Sequence, residues 1–186
     1  MRLRIYDPRI LALDLRLRRF GFAVFEGPRG LLDYGVRSIA SQEGHGHRFA
    51  SKPLSELIRI WAPESIVIKK EKWEALGAKP ETKALSANIL ELISTHEILL
   101  RLVSRHDFEV AFDHLGSTTK YEIAASLGRI FPELAWKVPP ERKPWESEHP
   151  RMSAFDAIAL GLASWQHESI EVLPTRPSID DEIQID

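Results

Sequence analysis

The chain has 186 residues, of which 44% are hydrophobic and 28% charged, the balance of an ordinary globular domain. It contains no cysteine, which excludes disulfides and thiolate metal sites. No apolar run reaches the ~18 residues that a membrane span needs, and the N-terminus lacks the apolar core of a signal peptide. We therefore expect a cytoplasmic protein with no membrane partner.

The formal net charge of −2 is unevenly distributed along the chain. Residues 168–186 carry six acidic side chains against Arg176, a local charge of −5, which leaves residues 1–167 at +3. We predict that residues 1–167 form the folded domain and that residues 168–186 form an acidic C-terminal tail. This asymmetry is compatible with a phosphate-binding face on the domain.

Two apolar runs open the chain, at residues 10–14 and 21–25, and a third follows at residues 31–39 after a turn rich in Gly and Pro. Apolar runs separated by turns predict antiparallel β-strands. The first strand ends at Asp14, and Gly21 in the second would leave room for another backbone or a ligand. Several nucleotide-handling folds begin with such an Asp, although Asp14 could simply end the strand and cap a turn.

The rest of the chain alternates helices and strands. Apolar spacing, with a capping box at Thr119 and Glu122, predicts four helices, at about residues 54–61, 82–105, 119–131 and 153–166. Buried strands are predicted at residues 65–68 and 108–112. This order implies an α/β fold: a mixed five-stranded sheet, three antiparallel strands and then parallel ones, flanked by helices. A homodimer through the long helix is a further expectation.

Acidic side chains are predicted to converge from separate elements at the end of the first strand. The 65–68 strand should lie beside the first strand and deliver Lys69 and Glu71 on one face, while Ser153 and Asp156 share a face of the last helix. Metal-dependent phosphodiester cleavage needs such convergence, because several carboxylates must hold two divalent ions ~3.5–4 Å apart. Asp14, Asp156 and Glu71 are the candidate ligands for Mg²⁺ or Mn²⁺.

The order and spacing of these pieces resemble the RuvC-like Holliday junction resolvases of the RNase H-like superfamily, over most of residues 9–167. Residues 11–14 and 21–24 look like the family's opening strand with its first catalytic Asp, followed by the Gly seven positions on. Residues 34–36 and 63–68 match the third strand and the stretch before the catalytic Glu. Residues 156–163 resemble the last helix, which begins with a catalytic Asp. The resemblance implies an RNase H-like fold and catalytic roles for Asp14 and Asp156.

The chain also departs from the family, and the departures make its acidic site degenerate. Lys69 stands where the family has its Glu, and Ser153 stands where it has the first Asp of the last helix. Glu71 is a candidate to substitute for a lost acid, and so are Glu146 and Glu148. A lysine at a ligand position would place a cation where the metal belongs, and so repel or replace it. Ser153 and Asp156 could also be a capping pair with no catalytic role.

Two functions follow from this sequence. The first is a metal-dependent endonuclease that acts on branched or structured DNA, and the alternative is a catalytically inactive RNase H-like binding or scaffold protein with a decayed metal site. DNA is favoured over RNA as the partner. His45 and His47, in a Gly-rich loop, are only a weak zinc motif. Seven basic residues are predicted to contact phosphates: Arg16, Arg18, Arg19, Lys69, Lys70, Lys72 and Lys120.

Overall fold

In a computed structural model, which describes residues 7–16, 18–39, 51–166 and 171–173, one mixed β-sheet separates two layers of helices. His45, His47 and most of the predicted acidic tail lie outside these residues. No helix in the described ranges is long and apolar enough to cross a membrane.

The predicted mixed sheet is confirmed. Its strands are β1 (Arg9–Leu15), β2 (Arg19–Glu26), β3 (Gly30–Ser38), β4 (Ser65–Lys69), β5 (Leu99–Val103) and β6 (Glu171–Leu173). The spatial order is β3-β2-β1-β4-β5-β6. The first three strands are antiparallel, β4 is parallel to β1, and β5 is parallel to β4. The 65–68 strand therefore lies beside the first strand, as the resemblance required.

One sequence prediction in the middle of the chain is wrong, and the sheet has one strand more than the five predicted. The fifth strand is β5, not residues 108–112, because the leucines of residues 99–103 extend the apolar stripe of the preceding helix and look like its continuation. Residues 108–112 lie in a helix, where Phe108 and Phe112 are one turn apart. β6 falls within the predicted tail and pairs antiparallel with β5, which adds a sixth strand.

The helices are α1 (Ser51–Trp61), α2 (Lys70–Ala78), α3 (Pro80–Thr95), α4 (Arg105–Asp113), α5 (Lys120–Ile130) and α6 (Met152–Gln166), with a 3₁₀ turn at Pro132–Lys137. Side chains of α1 to α3 pack on one face of the sheet, and those of α4 to α6 pack on the other. Both faces of β1 and β4 are therefore covered, as expected for parallel strands.

Strand alternation decides which side chains face α6. Ile10 and Ala12 of β1 belong to the core beneath α4 to α6, while Leu11 and Leu13 belong to the core on the opposite face. Asp14 has the parity of Ile10 and Ala12, so it emerges on the α6 side where β1 ends. Lys69 follows the same rule at the end of β4, because Val67 belongs to the α6-side core.

Gly21 fixes how closely α6 approaches the sheet. It pairs with Asp14 across β1 and β2. A Cβ atom on Gly21 would lie 1.9 Å from the carbonyl oxygen of Ser153, much closer than atoms can approach. The first turn of α6 therefore rests directly on the backbone of β2, beside Asp14.

We expect Gly21→Ala to reduce the free energy of unfolding by at least about 1–3 kcal/mol, the usual cost of forcing extra volume into a packed core. Urea denaturation measures this loss. The matched control is Gly77→Ala in α2, where an added Cβ meets no atom within 4 Å. That control should be neutral or stabilising, since Ala favours a helix over Gly by up to about 1 kcal/mol. Equal losses in the two variants would contradict the proposed close approach.

The predicted capping box at the start of α5 is confirmed. The Thr119 hydroxyl accepts from the Glu122 backbone N–H, and the Glu122 carboxylate accepts from the backbone N–H groups of Thr119 and Thr118. These backbone hydrogen bonds, from Thr119 first and then Thr118, lower the pKa of Glu122 to about 2. The box orients the first turn of α5, which begins at Lys120.

A pH dependence follows from the lowered pKa of Glu122. The stabilisation by its charged form is fully present above the unfolded pKa of 4.5 and is lost as the pH falls towards 2. Glu122→Gln should therefore unfold more easily than the wild type near neutral pH, and the difference should shrink below pH 4.5. Denaturation at a series of pH values tests this, and a difference independent of pH would contradict it.

Candidate functional site at the carboxyl edge of the sheet

Charged side chains from four distant segments meet where the parallel strands end. Asp14 lies at the end of β1 and Lys69 is the last residue of β4. The start of α5 brings Lys120 to the same edge, and α6 brings Asp156 there. Lys120 binds both Asp156 and Glu148, which lies in the loop before α6. We call Asp14, Glu148 and Asp156 the carboxylate cluster.

Arg16 joins all three members of the carboxylate cluster. Its Nε donates to Asp14 Oδ2 at 2.7 Å, and its Nη2 donates to Asp156 Oδ2 at 2.9 Å. Its Nη1 donates to Glu148 Oε2. One planar guanidinium thus binds acids from β1, from the irregular loop before α6, and from α6 itself.

Lys120 is a second cation within the cluster. Its Nζ donates to Glu148 Oε1 at 2.7 Å and to Asp156 Oδ2 at 2.8 Å. The hydroxyl of Ser153, which is almost fully buried, donates to Asp14 Oδ2 at 2.7 Å. The cluster oxygens therefore accept hydrogen bonds from two cations and one hydroxyl.

Lys69 is a third cation beside the cluster. Its Nζ lies 3.5 Å from the centre of the Phe108 ring, a cation–π contact. Burial lowers the pKa of Lys69, and the negative charges of Asp156 and Asp14 oppose that shift. Lys69 thus lies within the electrostatic field of Asp14 and Asp156.

Arg16 and Lys120 are held in their charged forms by the acids. Burial alone would lower the pKa of Arg16, but hydrogen bonds and charge from Asp14 and Glu148 raise it above its ordinary value. Burial also opposes the charge on Lys120, and Asp156 and Glu148 raise its pKa. Both side chains therefore remain positive at neutral pH.

The pKa values of Asp156 and Glu148, which bind these cations, shift in opposite directions. Burial raises the pKa of Asp156, and the opposing charge of Lys120 does not cancel that shift. Burial would also raise the pKa of Glu148, but Lys120 and Arg16 lower it below its ordinary value. Asp156 is the more deeply enclosed acid and depends more on the neighbouring cations to stay ionised.

The structure brings together two of the three acids predicted as ligands. Arg16 bridges Asp14 and Asp156, whereas the Glu71 carboxylate accepts from the Arg105 backbone N–H at 2.8 Å. The expected alignment of Glu71 with Lys69 is wrong, because β4 ends at Lys69 and the helical α2 begins one residue later. Strand alternation stops before it reaches Glu71.

Glu148 takes the place in the cluster that was predicted for Glu71. From the sequence it was only one of several acids that might substitute, and its signal was its position in the irregular loop before the last helix. The capping alternative for Ser153 and Asp156 is also wrong. Ser153 lies inside α6, which begins at Met152, and its hydroxyl binds Asp14, while Asp156 binds Arg16 and Lys120.

An open groove of about 780 Å³ adjoins the cluster. Its charged wall residues are the basic Lys69, Lys72, Lys120 and Arg105, the last of which the sequence analysis missed, and the acidic Glu71, Glu109 and Asp113. The other predicted phosphate-binding residues lie in neighbouring elements: Arg18 is exposed between β1 and β2, Arg19 begins β2, and Lys70 begins α2. Lys120 connects the two, because it lines the groove and donates to Glu148 and Asp156 of the cluster.

The donor set does not fit a bound divalent ion as it stands. The described residues contain no group of three or more His, Cys, Asp or Glu side chains arranged to hold a metal. The cluster carboxylates already accept from Arg16 and Lys120, and with Lys69 three cations face three carboxylates. A divalent ion would have to displace the guanidinium to bind Asp14 Oδ2 and Asp156 Oδ2 together.

The sheet order, the antiparallel first three strands and the helix that carries Asp156 define the RNase H-like class of α/β proteins. No family model matches the chain. Two crossover junction endodeoxyribonucleases RuvC, from Synechococcus sp. strains CC9605 and WH7803, are each 24% identical to it over 172 residues. Each comparison covers 84% of this chain and 97% of the relative.

Solved structures of Thermus thermophilus RuvC share the fold. RuvC in complex with a Holliday junction substrate matches with a TM-score of 0.58 at 14% identity, over 89% of this chain and 99% of that one. A second structure of the same protein matches with a TM-score of 0.56 at 15% identity, with the same coverage. The predicted resemblance to the RuvC-like resolvases is confirmed, in sequence by these two relatives and in fold by these two structures.

We expect Arg16 and Asp156 to be energetically coupled. Arg16→Gln and Asp156→Asn should each reduce the free energy of unfolding by about 2 kcal/mol, because each leaves partly buried charges without a partner. The double variant should lose less than the sum by about 1 kcal/mol or more. Chemical denaturation of the four proteins measures the coupling.

The matched control is the exposed pair formed by Arg105 and Glu109 at 2.7 Å. A cycle of Arg105→Gln and Glu109→Gln should show no measurable coupling, because solvent screens exposed ion pairs. Additive losses at Arg16 and Asp156 would show that the guanidinium does not hold the cluster together.

Proposed function

We propose that this protein recognises branched DNA at the carboxyl edge of its sheet and acts on it as a RuvC-like nuclease. The observation that carries the proposal is the meeting of Asp14 and Asp156 beside a groove that four basic side chains help to line, on a fold shared with RuvC. The similar proteins support it, since their names describe crossover junction endodeoxyribonucleases and one structure holds a Holliday junction substrate. DNA is the proposed partner rather than RNA.

Phosphate contacts would come from cations that the cluster does not consume. Arg18 is exposed between β1 and β2, and Lys72 and Arg105 line the groove. These side chains flank the cluster on different elements, so a DNA backbone could contact them while passing Asp14 and Asp156. DNA as substrate would suit the cytoplasmic location expected from the sequence, and a homodimer stays a prediction.

Cleavage would depend on Asp14 and Asp156, the two acids at the family's catalytic positions. We propose that the activity is weak, because Lys69 and Ser153 replace two acids and the remaining carboxylates are paired with cations. The expected requirement for Mg²⁺ or Mn²⁺ stays a prediction.

A second candidate function is junction binding without cleavage. It is favoured by the ion pairs of the cluster, since Arg16 and Lys120 occupy the carboxylate oxygens that hydrolysis would need. Both candidates share the same DNA-binding edge and differ only in whether the strand is cut.

We expect binding to a four-way junction to weaken steeply as salt rises, because phosphate contacts release counterions. Fluorescence anisotropy at several salt concentrations gives the slope. Arg18→Gln and Lys72→Gln should each reduce the slope by about 1, the value for one lost phosphate contact.

The matched control for DNA binding is Arg59→Gln. Arg59 is exposed near the end of α1, which leads to the start of β4 and so to the opposite edge of the sheet. This variant should keep the wild-type slope. Equal effects of Arg18→Gln and Arg59→Gln, or no binding to junction, duplex or single strand at low salt, would count against the proposed DNA-binding edge.

We expect any cleavage of a labelled four-way junction to disappear in Asp14→Asn. The double variant Lys69→Glu/Ser153→Asp, which restores both acids, should cut faster than the wild type. Gel assays of strand cleavage with Mg²⁺ or Mn²⁺ measure both effects. Efficient cutting by the wild type, reduced in the double variant, would instead make Lys69 a working part of the nuclease.

A further inference from the structure

The carboxylate cluster is neutralised from within the chain. We propose that Arg16 and Lys120 are built-in counterions that stand in place of a divalent cation, so that the DNA-free protein binds neither Mg²⁺ nor Mn²⁺ at Asp14 and Asp156. The site is that of the proposed function, and only the consequence of these counterions for DNA cleavage rests on that function. The test of metal binding contains no DNA, so this proposal and the proposed function can fail separately.

The Oδ2 atoms of Asp14 and Asp156 already accept hydrogen bonds from side chains of the protein. Asp14 Oδ2 accepts from Arg16 Nε and from the Ser153 hydroxyl, both at 2.7 Å. Asp156 Oδ2 accepts from Arg16 Nη2 at 2.9 Å and from Lys120 Nζ at 2.8 Å. Metal ions bind carboxylates through these same lone pairs. An ion that bound Asp14 Oδ2 and Asp156 Oδ2 together would therefore have to break several charge-assisted hydrogen bonds.

The positive charges of the chain also offset the negative charge of the carboxylate cluster. Arg16 and Lys120 together bring two positive charges to the cluster, as one divalent ion would. Lys69 adds a third positive charge, because the end of β4 places it in the field of Asp14 and Asp156. Cations bind where negative charge is in excess, and no excess remains here.

The ion pairs of Arg16 with Asp14 and Asp156 are also largely shielded from solvent. The side chains of Arg16, Asp14 and Asp156 are 23%, 10% and 13% exposed, so these ion pairs are not loose surface contacts. A guanidinium expelled by a metal would lose three acids from three segments at once. Removing one partner from such an enclosed network is costly, because the others remain buried without compensation.

The test is a Mn²⁺ titration of the DNA-free protein, with free Mn²⁺ followed by electron paramagnetic resonance. The wild type should show no saturable binding through the millimolar range. Arg16→Gln/Lys120→Gln, which uncovers the carboxylates, should gain a saturable site at least about tenfold tighter than any wild-type binding. Adding Asp14→Asn to that variant should remove the gained site.

The matched control is Arg105→Gln, which removes one positive charge from the same edge without touching the cluster. It should gain no Mn²⁺ site, which separates local uncovering from a general change in charge. Circular dichroism checks that each variant is folded. If Arg16→Gln/Lys120→Gln does not fold, Lys120→Gln alone serves, since its side chain is 54% exposed, and it should gain weaker binding.

Two outcomes would overturn the inference. One is saturable Mn²⁺ binding by the wild type that Asp14→Asn abolishes, since the cluster would then hold a metal despite its cations. The other is a folded Arg16→Gln/Lys120→Gln protein that binds Mn²⁺ no better than the wild type. If the wild type does not bind a four-way junction in a separate assay, the proposed function is contradicted and the inference about metal binding is unaffected.

Discussion

The ion pairs of the Arg16 guanidinium are the interaction on which the site depends, because they join the end of β1, the loop that carries Glu148 and helix α6. Three carboxylates enclosed at one edge of a sheet would repel one another without positive charge between them. In a metal-dependent nuclease that charge would come from divalent ions. Here the chain supplies it, with Lys120 as the second cation and Lys69 beside them.

The fold brings these groups together through simple geometry. Parallel pairing of β1 and β4 places Asp14 and Lys69 at one edge, and alternation turns both towards α6. Gly21 lets α6 lie on the sheet so closely that Ser153 reaches Asp14. In the proposed function, the neighbouring groove with Lys72 and Arg105 would be the path of a phosphate backbone past the cluster.

The hairpin, the place of β4 beside β1 and the capping box of α5 were predictable because each rests on a local pattern of residues. Residues 99–112 were not, since leucines that serve a strand also fit a helical stripe. The predicted alignment of Glu71 with Lys69 was wrong because the sequence does not show at which residue β4 ends and α2 begins. The bridging role of Arg16 could not be predicted from the sequence, because its partners Glu148 and Asp156 lie 132 and 140 residues away along the chain.

The most direct test of this account is a crystal structure of the DNA-free protein grown with Mn²⁺, with data collected at a wavelength where manganese scatters anomalously. The account predicts density for the Arg16 guanidinium between Asp14 and Asp156, with no anomalous peak within coordination distance of either carboxylate. An anomalous peak bound by both aspartates, with the Arg16 side chain turned away, would contradict it.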